Sequence, residues 1–277
     1  MVANRLVELG LKSGDILYLR CGLGRIGIPR TQIEEIFLGG IREVLGSEGT
    51  LITPAFVPIS FRWSKNLAIS SESTKPVTGL FASLLLEQSG AVRSNHPTHS
   101  FAGLGKNAKS ILAGHSEHGA CFEPMRAVVD ADGLMMLVGC VADSPGFSTV
   151  HLAQYDLGLS QRHYAKWLLA VRKGSENGEV FHPIESPGCS NGFGKFYRDY
   201  IDDGNFSCGY VGNAWSIAVR AAKAYEREYR ILSTNPLYPL CDQADCFSCR
   251  ITRGYNKRAV PGALISKATR LVTKAFR

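Results

Sequence analysis

The chain has 277 residues, 45 % hydrophobic and 20 % charged, with a formal net charge of +7. That length can bury a large core, and no apolar run reaches the roughly 20 residues a bilayer span needs. The eight Lys/Arg between Cys246 and Arg277 meet no acid, so the rest of the chain is near neutral, which excludes a general nucleic-acid surface. The opening MVANRLVELGLKSGD lacks a small-residue cleavage site, and the eight cysteines are mostly scattered. A soluble cytoplasmic protein with reduced thiols is expected.

In chain order, GDILYLRC (14–21) reads as a strand after a turn. TQIEEIFLGGIREVLG (31–46) has helical periodicity closed by glycine, and GTLITPAF (49–56) is a β-rich run ended by proline. RWSKNLAISSESTKPVTG (62–79) reads as a loop and LFASLLLEQSG (80–90) as a helix. GLMMLVGC (133–140), entered by the turn DADG, is the clearest buried strand. This alternation predicts an α/β fold, a three-layer αβα sandwich around a mixed central sheet. Residues 1–240 form the expected domain, and 241–277 a cysteine-containing basic extension.

Histidines are the first candidates for chemistry. His151 follows the strand at 133–140 and a loop with Asp143, Ser144, Pro145 and Gly146, where ligands collect in α/β folds. A core histidine is the competing reading there. His96, His99, His115 and His118 show no His-Glu-x-x-His spacing, and Pro97 breaks any helix that would align His96 with His99. The chain also has no P-loop, no G-x-G-x-x-G after a strand and no G-x-S-x-G elbow.

RSNHPTHSFAGLGKNAKSILAGH, then GACFEP, then DGLMMLVGCVADSPGFSTVH, resembles the aminoglycoside 3-N-acetyltransferase family. GDILYLRCGLGRIG, GSEGTLITPAF and TKPVTGLFASLLLEQSGAVRS follow the same order, so the resemblance covers about residues 10 to 215. It implies transfer of an acetyl group from acetyl-CoA, or of another acyl group from its CoA ester, to a sugar amine. His151 matches the family's catalytic base and Glu185 its expected partner acid. By the same resemblance coenzyme A contacts Leu23, Gly24, Arg25 and Ile26, then Arg93, Ser94, His96, Thr98, Ser100 and Phe101, with Ser148 beside the base. Histidine suits the task because its pKa lies near neutrality, and an amine attacks a thioester only once its proton is removed.

Three departures bear on the acceptor. Arg20 and Gly22 stand where the family's first strand commonly has His-x-Ser, and Gln154 replaces the glutamate closing His-x-x-Glu, with Asp156 two residues on. The loop before TKPVTG holds only Glu72 as an acid. Aminoglycosides are polycations, whose site should be rich in carboxylates. The expected acceptor is therefore a single amino sugar, linked to a nucleotide diphosphate in surface-polysaccharide synthesis, with Arg20, Glu72, Gln154 and Asp156 as substrate contacts. Two alternatives stand beside it: an aminoglycoside 3-N-acetyltransferase conferring antibiotic resistance, and a non-catalytic descendant that binds coenzyme A or a sugar.

In the extension, Cys241, Cys246 and Cys249 form C-x4-C-x2-C, with Cys208 or Cys189 as a fourth ligand if a metal binds. Buried thiols are the preferred reading; structural zinc is the alternative. PGALISKATRLVTKAFR (261–277) reads as a helix packed on the body, the alternative being an interfacial helix giving peripheral contact with anionic lipid. A monomer or homodimer is expected.

Overall fold

The computed structural model describes residues 2–160, 165–185, 187–243 and 246–249, with isolated positions at 265 and 269. The expected terminal helix at 261–277 thus lies almost wholly outside the described residues. Among them, no helix is long and apolar enough to cross a membrane.

The core is built on strands β1 (Ile16–Cys21) and β2 (Thr50–Pro54). Two short strands, β3 (Ser60–Phe61) and β4 (Ile69–Ser70), come next, then β5 (Val92–Arg93), β6 (Phe101–Gly105) and β7 (Leu134–Val138). β8 (Leu169–Lys173), β9 (Val180–Phe181), β10 (Ser207–Val211) and β11 (Ala214–Arg220) complete the set. The main sheet runs β10-β11-β7-β1-β2-β6-β5. Its centre is parallel, with Leu17 opposite Leu51 and Leu134, and its flanks are antiparallel. A parallel strand covered on both faces must be apolar throughout, as β7, Leu-Met-Met-Leu-Val, is.

Side-chain alternation along these strands sorts the helices into two layers. Leu17, Leu19, Leu134, Met136 and Val138 face α1 (Val2–Glu8), α2 (Gly39–Leu45) and α3 (Leu80–Leu86). Tyr18, Ile52, Met135, Leu137 and Ile217 face the other layer. That layer holds α4 (Ala108–Ala113), α5 (Pro124–Asp130) and α6 (Thr149–Asp156); after the short α7 (Ala165–Leu168) it adds α8 (Phe196–Asp202) and α9 (Ala221–Thr234). The three-layer αβα sandwich with a mixed sheet is the architecture observed.

Two local expectations need correction. The helix expected over 31–46 is divided into a 3-10 turn at Arg30–Gln32, a π turn at Glu34–Leu38 and α2. Gly39 and Gly40, both weak helix formers, sit at the join. The segment expected as a loop over 62–79 contains β4, which pairs with β8 beside β3 and β9 in a second small sheet. Strands of two residues carry no periodicity to read.

Candidate active site

The chain leaves β1 for β2 on one side of the sheet, while β7 occupies the other side. This makes the carboxyl end of β1 a topological switch point, where open α/β sheets leave a crevice. A cleft of about 430 Å³ opens there. Arg20 and Cys21 come from β1, Thr53 and Pro54 from β2, and Cys140 from just past β7. Ser148 and His151 enter from the start of α6, and Ser190 and Phe193 from the loop before α8.

His151 is held on three sides. Its ring stacks on Phe122 at 4.5 Å and meets the edge of Phe193 at 4.7 Å. Nδ1 lies 3.1 Å from Oε1 of Gln154, one helical turn on. An amide oxygen only accepts, so Nδ1 carries the proton and the lone pair of the neutral ring is on Nε2. Beside it, the buried hydroxyls of Tyr18 and Ser148 lie 2.6 Å apart. Burial, more than the opposing Arg20 and Ser148, pushes the Tyr18 phenol up and keeps it protonated.

The other imidazoles form a packed cluster. Nδ1 of His96 accepts from the amides of Thr98 (3.2 Å) and His99 (3.0 Å), closing the turn that Pro97 begins. His96 stacks on His115 at 4.9 Å. His115 Nε2 donates to the Ala120 carbonyl, and its Nδ1 sits 2.9 Å from Ser94 Oγ, which accepts from the Phe101 amide. The Thr98 hydroxyl lies 2.9 Å from Nδ1 of His99. Burial, helped by neighbouring imidazoles, pushes His96 down to about 2 and His99 to about 3; burial outweighs the Ala120 contact in taking His115 to about 4. All three stay neutral near pH 7.

The arginines are bound to carbonyls. Arg20 donates to Gly146 and Ser144, both at 2.9 Å, clamping the loop before α6. Arg93 donates to the Ser100 hydroxyl and to the carbonyls of Ala55, Glu72 and Thr74, so it fastens segment 71–74 to the end of β2. With Glu72, Ser94, His96 and Ser100 it lines a second hollow. Arg25 donates to the Gly139 carbonyl and pairs with Asp143; Leu23, Gly24 and Arg25 form a 3-10 turn leading into the buried Ile26.

Glu185 and Asp156 lie apart from this cleft. The Glu185 carboxylate accepts from the Cys121 amide and the Ser160 hydroxyl, and it lines a hollow with His96, Cys121 and Tyr155. Asp156 is taken by Arg126 (2.8 Å) and Tyr225. The structure therefore gathers Arg20, Ser148, His151 and Gln154, and puts Arg93, Ser94, His96 and Ser100 around the second hollow, whereas Thr98 and Phe101 are buried and do not line it. Tyr18, Phe122 and Phe193 went unread in the sequence. Tyr18 had one available signal, its place two residues before Arg20 on the same face of β1.

A three-layer αβα protein with a histidine in the switch-point crevice is the class these features define. The chain belongs to the aminoglycoside 3-N-acetyltransferase family, whose model matches residues 19–233. It is 27 % identical over 162 residues to aminoglycoside N(3)-acetyltransferase IX of Micromonospora chalcea, a match covering 52 % of this chain and 57 % of that one. The alignment thus spans little more than half of that curated relative. Among solved structures, the fold resembles a histidine-to-alanine mutant of aminoglycoside acetyltransferase AAC(3)-IVa in complex with a gentamicin. That likeness has a TM-score of 0.74 at 20 % identity, over 91 % of this chain and 95 % of that chain. It also resembles AAC-IIIb in a binary complex with CoASH, with a TM-score of 0.68 at 20 % identity, over 84 % and 95 %.

Proposed function

We propose that the protein transfers an acetyl group from acetyl-CoA to an amine of an aminoglycoside, with His151 as the general base. The observation that carries this reading is His151 itself. Among the described residues it is the one imidazole lining the cleft, is fixed by two aromatic rings and is set by Gln154 in the tautomer whose Nε2 accepts a proton. Family membership and a coenzyme A-bound structural neighbour support the donor. The names of the relatives support the aminoglycoside acceptor over the nucleotide-linked amino sugar expected from the departures.

In the proposed reaction the acceptor's ammonium gives a proton to Nε2, and the freed amine attacks the thioester carbonyl carbon. The tetrahedral intermediate then collapses: the C–S bond breaks, the nitrogen gives its second proton to the departing coenzyme A thiolate, and His151 returns its proton to solvent. One of the Tyr18 and Ser148 hydroxyls donates to the other, so a single O–H remains to donate to the oxygen that gains charge. Glu185 supports the base from behind: it holds the Cys121 amide, next to the Phe122 ring on which His151 stacks. No covalent enzyme intermediate is needed, because orientation and proton removal supply the rate.

A second reading concerns the acceptor's charge. Among the described residues lining the cleft there is no carboxylate, and Arg20 is the one permanently charged group. This favours an acceptor with fewer amines than a typical aminoglycoside. Mass spectrometry of products from acetyl-CoA with aminoglycosides, free amino sugars and nucleotide-linked amino sugars tests both. One added acetyl group on an aminoglycoside is the expected result; faster acetylation of a nucleotide-linked sugar would overturn the acceptor assignment.

A further inference from the structure

Four cysteines take no part in the proposed reaction. The sulfurs of Cys189, Cys241, Cys246 and Cys249 all lie within 4.8 Å of one another. Cys241 and Cys249 are 3.5 Å apart at sulfur. A disulfide holds its sulfurs at about 2.0 Å, so this spacing is not that of a bonded pair. Four thiolates bonded at about 2.3 Å to one tetrahedral ion sit about 3.8 Å apart, within the observed spread.

The cluster makes a poor hydrophobic core. Among the described residues, its one other buried member is Leu240. Packing alone gives no reason for four sulfurs to converge from two stretches of chain some fifty residues apart. The two stretches meet at close quarters. A Cβ on Gly192 would overlap the backbone of Pro239 and Leu240. Lys195 Nζ donates to the Leu240 carbonyl and to Asp242, both at 2.8 Å, and so ties the two stretches together on either side of Cys241. The Asn191 amide donates to Cys189 Sγ at 3.4 Å, a contact that suits a sulfur carrying negative charge.

We propose that Cys189, Cys241, Cys246 and Cys249 bind a single tetrahedral Zn²⁺ that staples the 189–193 loop to the segment following α9. Four sulfur ligands close the coordination sphere, so the ion is structural and carries no substrate. Sulfurs this close leave no room for several irons with bridging sulfides between them. Among mononuclear ions, thiolates hold zinc more tightly than iron(II). The site selects Cys189 over Cys208, which is exposed on β10. The stapled loop is also a wall of the cleft, because it carries Ser190 and Phe193, whose ring meets His151. The ion therefore holds that wall in place without touching the reaction.

The test is metal analysis of the full chain, expressed in zinc-replete cells and purified without chelator. About one zinc per chain is expected, released on titration of the four thiols with a mercurial. Cobalt(II) replacing the zinc should give the intense visible bands and near-ultraviolet thiolate charge transfer of a tetrahedral sulfur site. C189S and C249S should each retain less than about a fifth of the wild-type zinc, and C208S all of it. The cobalt spectrum of wild type keeps the test decisive if those variants fold poorly. Substoichiometric zinc in wild type, even after reconstitution of the reduced protein, would overturn the proposal. So would stoichiometric iron, or zinc content unchanged in C189S and C249S. None of these readouts depends on acetyltransferase activity.

Discussion

Nδ1 of His151 is 3.1 Å from Oε1 of Gln154, across one turn of α6. Gln154 stands where the resemblance puts a glutamate, so the group facing Nδ1 is a neutral amide and not a carboxylate. An amide fixes the tautomer but adds no charge to stabilise the imidazolium that forms during the reaction. Gln154→Glu should raise the pKa of His151, moving the acidic limb of the kcat/KM profile to higher pH by about one unit. Gln154→Leu should keep the limb near its place but lower kcat about tenfold or more. Profiles of the two variants that superimpose on wild type would show that Gln154 does not act on the base.

The buried imidazoles give the protein a defined weakness to acid. His96, His99 and His115 are held at about 2, 3 and 4 in the folded state, against an ordinary 6.5. Their neutral forms favour the fold above pH 6.5, and that contribution is lost as pH falls below it, because the unfolded chain binds the protons first. The unfolding temperature should drop steeply between pH 6.5 and 4. Replacing His115 with asparagine should flatten part of that drop.

Glu228 acts in the opposite sense. It is buried beneath the first turn of α6, with Thr149 (2.8 Å) and Tyr200 on one oxygen and no hydrogen-bond partner for the other among the described residues. Burial raises it to about 8 despite those bonds. A carboxyl raised in the folded state is favoured while protonated, so stability falls as pH rises from 4.5 to 8. Between 6.5 and 8 the histidine cluster is already neutral, which isolates this group. Glu228→Gln should unfold at a higher temperature than wild type at pH 8 and lose the slope over that interval.

Gly146 allows the loop of the cleft to close on Phe193. Its φ is +74°, and a Cβ would overlap the Phe193 side chain and backbone. Gly146→Ala should cost about 2 kcal/mol or more in a chemical denaturation measurement. In the enzyme assay it should raise KM as the Phe193 wall is displaced. An alanine variant as stable as wild type would mean that the loop relaxes freely.

Much of this was readable in the residues, and the reasons for the remainder are physical. β1, β2, β7 and α3 were legible because each is an apolar run or a helical period bounded by glycine or proline. His151 was legible through motif order, and its position past β7 followed from the strand before it. The arginines were harder: in a sequence Arg20 and Arg93 look like charges awaiting a phosphate, but a guanidinium has five donors, and folding brought carbonyls to them. The histidine cluster depends on burial, a tertiary property. Cys189 and Cys208 were equivalent in the sequence, and only the fold separates them. The small sheet around β8 was invisible because most of its strands are two residues long.

The most direct test of the account is thiol release from acetyl-CoA with an aminoglycoside acceptor, run on wild type and His151→Ala side by side. Release by wild type, reduced about a hundredfold or more in kcat by the substitution while coenzyme A still binds, is the predicted result. Equal rates in the two proteins would contradict the role of His151, and no release by a wild type that binds coenzyme A would contradict the proposed reaction itself.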